Sequence, residues 1–498
     1  MKTETQKQAI SFTIIHYFGI IIGIFSTLFI YPKNKEMLGV FRYVESLSQI
    51  LFPMMLIGAS QALVNFSPKL NGISKKLLFN YSVISILIVA SFLSVLVYGL
   101  SFFSGLKAMK YIYFALPIGV FLAFVELFKK QASILQKTAI PALFDAVLPK
   151  VALPVIFVLL LSQCVSIYQS LLLYVLSFGL LFVFSTLYLN YYFRPKFTFL
   201  FSDLFEKLPK KEYYQFSLFA FAGSLGSVFA FRIDAIMIPK LISMQANGTF
   251  SIGLTLASAL AIPATGIFAI YAPIVSNYLK KNSFDLLELK YKETAKLLFC
   301  IGALLYSCVF LGIENLFELL PTHQNLLASV PVILILGLTV LINMGTGFNG
   351  EIITYSKHYR FNLVAILVLI VLNIGLNLLF ILRFELGIVG AAFASLISMM
   401  VFNGAKLWFI FKKFKMLPFD CAYFKLILVV VVCLFLVYFL PDFGNNIFNL
   451  IFKTALSLSL NLFLIYRLKL VFQVNFFIDK WLDLFKKKLD HFNNPNKN

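Results

Sequence analysis

Apolar runs of about 20 residues recur along almost the whole chain, and they constrain the fold more than any other feature. The first is AISFTIIHYFGIIIGIFSTLFIY at 9–31. A helical run of this length can cross the ~30 Å hydrocarbon core of a bilayer. The composition agrees, because 60% of the 498 residues are hydrophobic and only 13% are charged, whereas soluble domains carry about 25%. The sequence therefore predicts an all-α polytopic membrane protein.

We expect about fourteen transmembrane helices joined mostly by short loops, so that neighbours pack as antiparallel pairs. Their expected ranges are 9–31, 44–66, 78–102, 111–128, 140–161, 168–192, 213–239, 249–278, 294–315, 327–353, 361–381, 388–410, 422–440 and 447–470. The longest connection lies between the sixth and seventh spans. We therefore predict two six-helix lobes, 9–192 and 213–410, followed by two extra C-terminal helices within 422–470.

Lys and Arg are unevenly shared between the two sets of loops. Loops after even-numbered spans hold 20 of them, and loops after odd-numbered spans hold 7. Short basic loops stay in the cytoplasm, so we expect both termini to be cytoplasmic, in a bacterial inner membrane. The net charge of +21 is then explained by loops beside anionic lipid, and no nucleic-acid partner is expected.

The segment after the last span, NFFIDKWLDLFKKKLDHF at 475–492, has the pattern of an amphipathic helix. One stripe carries the apolar residues Ile478, Trp481, Leu482, Phe485, Leu489 and Phe492. Such a helix is typical of the membrane interface, here on the cytoplasmic side. Docking against the protein's own loops is the alternative.

The two predicted lobes contain a short similarity. LGVF at 38–41 enters the second span and NGTF at 247–250 enters the eighth, and each run leads to a proline about fifteen residues later. Parallel repeats of this kind occur in transporters. The alternative is that Gly and Pro are simply common in membrane helices.

The sequence contains no motif for hydrolysis, group transfer or nucleotide binding, so we do not expect an enzyme. The four histidines are far apart, and none of the five cysteines forms a metal-spaced pair, so no metal site is expected. A membrane polysaccharide polymerase is the enzymatic alternative, but such proteins carry a large periplasmic loop. No cofactor is expected, although coupling to H⁺ or Na⁺ stays open.

Ionisable residues inside the spans are the candidates for function, because such residues usually face a cavity or a partner. In FRIDAIMIPK at 231–240, Arg232 and Asp234 lie near the predicted periplasmic end of the seventh span. Residues two apart on a helix point to different sides. Arg232 either lines a polar cavity or reaches the headgroups, and Asp234 either couples transport to an ion or caps a kink.

Lys150 and Asp145 lie in the fifth span, in IPALFDAVLPKVALPVIF. The prolines of this span free backbone carbonyls, which need polar surroundings. Lys150 is therefore a second candidate for a cavity, with reach towards the headgroups as the alternative. Asp145, five positions earlier, is a candidate gating or coupling carboxylate.

Arg42 opens the second span together with Glu45 and is a third basic candidate, with an ordinary interfacial pair as the alternative. Glu351 follows several glycines in the tenth span and is a candidate gate, unless it pairs with Lys357 or Arg360. Lys406 is expected to reach the headgroups.

The charged residues inside the spans are mostly basic, and a basic cavity suits an anion. An exporter of organic cations would need buried carboxylates instead. The anion that fits a cavity open to lipid is a sugar chain linked to a polyprenyl pyrophosphate. Its phosphates would meet Arg and Lys, and its lipid tail would stay in the bilayer.

Two stretches resemble the MOP transporter superfamily. LNIGLNLLFILRFELGIVGAAFASLIS at 372–398 is similar to its Asn-x-x-Leu-Asn…Gly-x-x-Gly-Ala-Ala-x-Ala-(Ser/Thr) signature. The matching residues are Asn373, Asn377, Gly387, Gly390, Ala391, Ala392, Ala394 and Ser395. The seventh and eighth spans resemble a second pattern of the family, through Asp234, Met237, Gly248 and Phe250.

The resemblance implies two six-helix lobes that alternate access around a central cationic cavity. Fourteen spans favour the Wzx-type flippase branch, which implies transfer of undecaprenyl-pyrophosphate-linked oligosaccharide to the periplasmic leaflet for O-antigen, capsule or exopolysaccharide synthesis. Its partners would be that lipid-linked oligosaccharide, membrane lipids and the polymerase and export machinery. A MATE-type multidrug antiporter and a lipid II flippase are the alternatives.

Overall fold

The structure is a computed structural model that describes residues 19–104, 110–137, 139–195 and 198–493, and these ranges contain helices and no strand. The helices are α1 (Gly19–Phe29), α2 (Lys35–Leu56), α3 (Ala59–Phe66), α4 (Gly72–Ser104), α5 (Ile112–Ile134), α6 (Ala139–Leu161), α7 (Ile167–Tyr192), α8 (Ser202–Lys207), α9 (Lys210–Arg232), α10 (Asp234–Leu241), α11 (Met244–Ala259), α12 (Ile262–Lys280), α13 (Phe284–Glu318), α14 (His323–Leu327), α15 (Val330–Gly345), α16 (Asn349–Tyr355), α17 (Arg360–Leu378), α18 (Gly387–Phe414), α19 (Cys421–Tyr438), α20 (Asn446–Arg467) and α21 (Phe472–Asn493).

The predicted all-α membrane fold is confirmed. Within the described ranges, 10 helices are long and apolar enough to cross a bilayer, or up to 13 if each of three bent helix pairs is one span. These correspond in order to the second to fourteenth predicted spans. The first predicted span, 9–31, lies partly outside the described residues, and α1 is its described part.

Two of the bends occur where the backbone adopts positive φ. The pair α2–α3 bends by 49° at Ile57 and Gly58, with φ of 42° and 74°. A Cβ on Gly58 would lie 2.0 Å from the carbonyl oxygen of Ser217 on α9. Only glycine therefore fits at this bend against α9. The pair α15–α16 bends by 51° around Gly347, which has φ of 63°.

The eighth span was predicted as one segment at 249–278, and the structure divides it. Helix α11 ends at Ala259 and α12 begins at Ile262, with Pro263 in its first turn. Proline has no N–H to donate, and it is tolerated where a helix starts. The apolar run is continuous across this break, which is why hydropathy alone did not locate it.

Contacts between Cα atoms divide the chain into two compact units. The first comprises the residues up to Thr255 together with Ile370–Ala391, and the second comprises Leu256–Leu369 with the residues from Ala392. In the second unit, α13, α15, α19 and α20 share a core that includes the buried thiols of Cys300 and Cys433. The division into lobes at 9–192 and 213–410 stays a prediction.

Candidate functional site

Three charged residues predicted near one end of the spans meet in the first unit. Arg42 Nη1 lies 2.8 Å from Glu45 Oε2, one turn away on α2. Arg232 Nη2, at the end of α9, lies 3.6 Å from Glu45 Oε1. We call these residues the arginine cluster. Two guanidinium groups on one carboxylate leave a net positive charge, so the cluster can accept an anion.

The arginine cluster is partly buried, which makes its pairing important. The side chain of Glu45 is 16% exposed, and those of Arg42 and Arg232 are 23% and 33% exposed. The buried tyrosines Tyr31 and Tyr174 lie within electrostatic range of Arg42. Charges taken out of water need partners, and Glu45 supplies one to each arginine while both stay accessible.

A break in the seventh span explains why it carries Arg232 and Asp234. Helix α9 ends at Arg232 and α10 begins at Asp234, and the two axes differ by 48°. A helix C-terminus favours a cation and an N-terminus favours an anion, each by about 0.3–1 kcal/mol. Both charges therefore lie where the backbone of the broken span favours them.

Asp234 has a hydrogen-bond partner on another helix, α17. Its Oδ1 accepts a hydrogen bond of 2.8 Å from Asn377 Nδ2, and the same amide lies 2.8 Å from Asn373 Oδ1. Both asparagines lie on α17 and are almost completely buried. The two stretches that carry the family resemblance thus meet at one point of the first unit.

The two Gly-x-Phe segments also meet in this unit, near the start of α2 and α11. A Cβ on Gly39 would lie 1.8 Å from the carbonyl oxygen of Met244, and a Cβ on Gly248 would lie 1.8 Å from that of Lys35. Gly39 thus faces the carbonyl of the residue four positions before Gly248, and Gly248 faces the carbonyl of the residue four positions before Gly39. Asn247 Nδ2 donates to Gly39 O at 2.8 Å. This crossing fixes the start of α2, one turn before Arg42.

Lys150 and Asp145 are placed elsewhere on α6. Lys150 packs against α1, where its Nζ lies 3.3 Å from a Cβ built on Gly19. Asp145 Oδ2 accepts a bond of 2.6 Å from Lys129. None of the described contacts joins Lys150 to either arginine of the cluster. Their predicted roles in a cavity and in gating stay predictions.

Glu351 lies in the second unit, and its environment differs from the expected one. The cation that acts on it electrostatically is Lys406, and no described salt bridge joins it to Lys357 or Arg360. Lys406 was expected to reach the headgroups, and this was wrong. Lys406 is only 7% exposed. Its Nζ lies 3.9 Å from the ring centre of Phe402, which supplies a cation–π contact.

Amide side chains surround the bend between α15 and α16, next to Glu351. Asn403 Oδ1 accepts from Asn349 Nδ2 at 3.0 Å, and Asn403 Nδ2 donates to Asn343 Oδ1 at 3.2 Å. These amides connect α18 to both sides of the α15–α16 bend. The gating role of Glu351 stays a prediction.

Sequence reasoning missed the position of Glu45 in the site, although it identified Arg42 and Arg232. Glu45 was considered only as the local partner of Arg42. The available signal was a carboxylate one turn inside an apolar span, which normally requires a basic partner. Buried Tyr31 and Tyr174 carried no such signal, because tyrosine is common near membrane interfaces.

The fold is similar to that of known membrane transporters. Lipid II flippase MurJ, in an inward closed conformation, matches with a TM-score of 0.70 and 15% identity over 92% of this chain and 99% of its own. An outward-facing MATE family multidrug resistance transporter of the MOP superfamily matches with 0.56 and 14%, over 82% and 96%. A MOP superfamily transporter from Pyrococcus furiosus matches with 0.54 and 14%, over the same shares.

These likenesses establish the fold that this chain shares with MurJ and with MATE transporters. No protein-family model matches the chain, and no curated protein sequence matches it. At identities of 14–15%, the substrate has to be argued from the site.

Proposed function

We propose that this protein is a flippase that moves an undecaprenyl-pyrophosphate-linked oligosaccharide from the cytoplasmic to the periplasmic leaflet. The observation that carries the proposal is the arginine cluster, whose net positive charge lies within apolar spans. Arginine binds phosphate oxygens through paired N–H groups. Glycan assembly for O-antigen, capsule or exopolysaccharide is the process that such a flippase would serve.

The geometry of the cluster supports exchange of Glu45 for a phosphate. The contact between Arg42 and Glu45 is short, whereas Arg232 lies 3.6 Å from the carboxylate. The longer contact is weaker, so a pyrophosphate can replace Glu45 as the partner of Arg232. Arg42 meanwhile keeps its contact with Glu45 and its position. The substrate then neutralises the positive charge that Glu45 leaves uncompensated, and release restores the original pairing.

Alternating access would use the broken seventh span. Arg232 and Asp234 lie on either side of the bend, so a change in the bend angle moves one relative to the other. Asp234 is the proposed coupling carboxylate for H⁺ or Na⁺, held by Asn377 on α17. The α2–α11 glycine crossing would close one end of the pathway.

The test is export of surface glycan in cells that carry Arg42→Ala, Arg232→Ala or Asp234→Asn at matched protein levels in the membrane. A hydrogen bond to a charged group contributes about 1.5–3 kcal/mol, so each arginine variant should export at least about tenfold less glycan. Asp234→Asn should abolish the dependence of export on the ion gradient.

The matched control is Lys240→Ala, because Lys240 is an exposed basic residue in the last turn of α10. It should export like the wild type. Normal export in both arginine variants would remove the cluster from the pathway and with it the basis of the proposal.

Transfer of lipid II is the second candidate. Lipid II is also linked to its lipid by pyrophosphate, so the arginine cluster suits it equally. The similarity to MurJ supports it, because that match covers 92% of this chain whereas the MATE match covers 82%. The two substrates differ in their glycan but share the pyrophosphate that the arginine cluster would bind.

A further inference from the structure

The C-terminal helix α21 is attached to the second unit only at its beginning. Leu470 and Val471, which precede it, are buried in the core formed by α13, α19 and α20. Asn475 Nδ2 donates to the carbonyl oxygen of Tyr466 at 2.9 Å, and the Tyr466 hydroxyl donates to Asp479 Oδ1 at 2.7 Å. These bonds fix the direction in which α21 leaves the end of α20.

From Lys480 to Leu484, none of the described side chains of α21 packs against another helix. Every side chain from Asp479 to Leu484 is exposed. Trp481 is 61% exposed, and Phe477 and Leu484 are 62% and 51% exposed. Large apolar side chains grouped in this way on a helix normally mark an interaction surface.

The charges of α21 are arranged around this apolar face. At about 100° per residue, positions 479, 483 and 490 share one face, and 477, 481 and 484 lie on the opposite side. Positions 480 and 487 fall at one boundary between the faces, 486 lies beside the acidic positions, and 488 falls within the apolar face. The three acidic positions thus lie furthest from the apolar face, two lysine positions border it, and one lies within it.

This arrangement fits a phospholipid surface better than a protein groove. Lysines at the boundary can lay their methylene chains along apolar surface and direct the ammonium group to lipid phosphates. Acidic side chains on the far face remain in water. Arg467 and Lys469, just before the helix, add positive charge at the same end of α20.

We propose that α21 is a lipid-docking helix that lies in the headgroup region of the leaflet at the C-terminal end of α20. Its apolar face enters the acyl boundary, and the bordering lysines bind lipid phosphates. The helix thereby fixes the depth of α20 in the bilayer. This inference does not depend on the proposed substrate.

Fluorescence quenching tests the proposal directly, because the chain contains two tryptophans, Trp408 and Trp481. The full-length Trp408→Phe variant leaves Trp481 as the reporter. It is reconstituted into vesicles whose phosphatidylcholine carries bromine either just below the headgroup or near the end of the acyl chain. An interfacial helix lies roughly 5–10 Å deep, so the shallow bromines should quench Trp481 more than the deep ones.

Two further variants link the quenching to the apolar face. Phe477→Ser combined with Leu484→Ser should reduce the quenching by the shallow bromines, because it removes apolar area on the inserted side. Asp483→Asn, on the opposite face, is the matched control and should leave it unchanged. In the Trp481→Phe variant, quenching of Trp408 on α18 reports that the protein is inserted.

Two results would overturn the proposal. If Trp481 is quenched by neither lipid and emits at long wavelength, the helix lies in water. If it is unquenched and emits at short wavelength, the helix docks on protein, either its own loops or a second copy.

Discussion

Asp420, the residue just before the membrane span α19, is the clearest case of a single residue that supports a helix. Its side chain accepts from the N–H of Tyr423 at 2.8 Å and caps α19, and Lys296 Nζ donates to it at 2.7 Å. Partial burial opposes ionisation, but these two donors outweigh it and hold the pKa of Asp420 below its usual value. The ionised carboxylate therefore stabilises the fold.

We predict that Asp420→Ala lowers stability by about 0.5–2 kcal/mol at neutral pH, the range for a lost N-cap. Because the folded-state pKa lies below the unfolded one, the contribution is complete above an unfolded pKa of about 3.9 and is lost as pH falls through the folded value. Thermal unfolding of the protein in detergent should therefore show a gap between wild type and variant that narrows in acid. A gap that stays constant with pH would contradict the capping role of the charge.

The charged residues show how far single-residue reasoning reaches. Arg42, Arg232 and Asp234 were identified because charge inside an apolar run is costly in any fold. Glu45 was considered as the local partner of Arg42, but Glu45 as the partner of Arg232 and Asn377 as the partner of Asp234 were not, because each comes from a span distant in the sequence. The prediction for Lys406 was wrong for a different reason. The aromatic ring that covers it belongs to Phe402 on the same helix, and one more aromatic residue in an apolar span gives no distinct signal.

At the scale of elements, the crossing of α2 and α11 makes a sharp prediction. Gly39→Ala would place a Cβ 1.8 Å from the carbonyl oxygen of Met244, so the two helices must separate and the Asn247 bond to Gly39 O must lengthen. We expect Gly39→Ala to lower both the melting temperature and glycan export.

The matched control for this substitution is Gly223→Ala on α9, where a Cβ would meet no atom within 4 Å. Alanine favours a helix over glycine by roughly 1 kcal/mol, so this variant should be neutral or slightly more stable. If Gly39→Ala behaves like Gly223→Ala, the close approach of α2 and α11 is not required.

Hydropathy located the spans well but not their interruptions. The run of apolar residues continues through the bend at Ile57 and through the break before Ile262, so a hydropathy window sees one segment. These breaks depend on a positive φ, on a proline in a first helical turn, or on a close contact with another helix. The last of these is set by the tertiary structure and has no local signature.

For the whole molecule, deletion of the gene separates the candidate functions. A flippase for surface polysaccharide should lose surface glycan and leave the cells viable, because that glycan is not needed for the wall. Glycan would be measured on whole cells, with viability and drug susceptibility recorded in parallel. Lysis on depletion would point to lipid II, and drug hypersensitivity with normal glycan would point to a MATE-type exporter.

The break between Arg232 and Asp234 has a thermodynamic consequence. Any anion that binds Arg232 more tightly at one bend angle than at another must shift the span towards that angle. By reciprocity, whatever sets the angle must change the affinity for the anion by the same factor. An ion bound at Asp234 would thus change the affinity of Arg232 for a phosphate without contacting the phosphate.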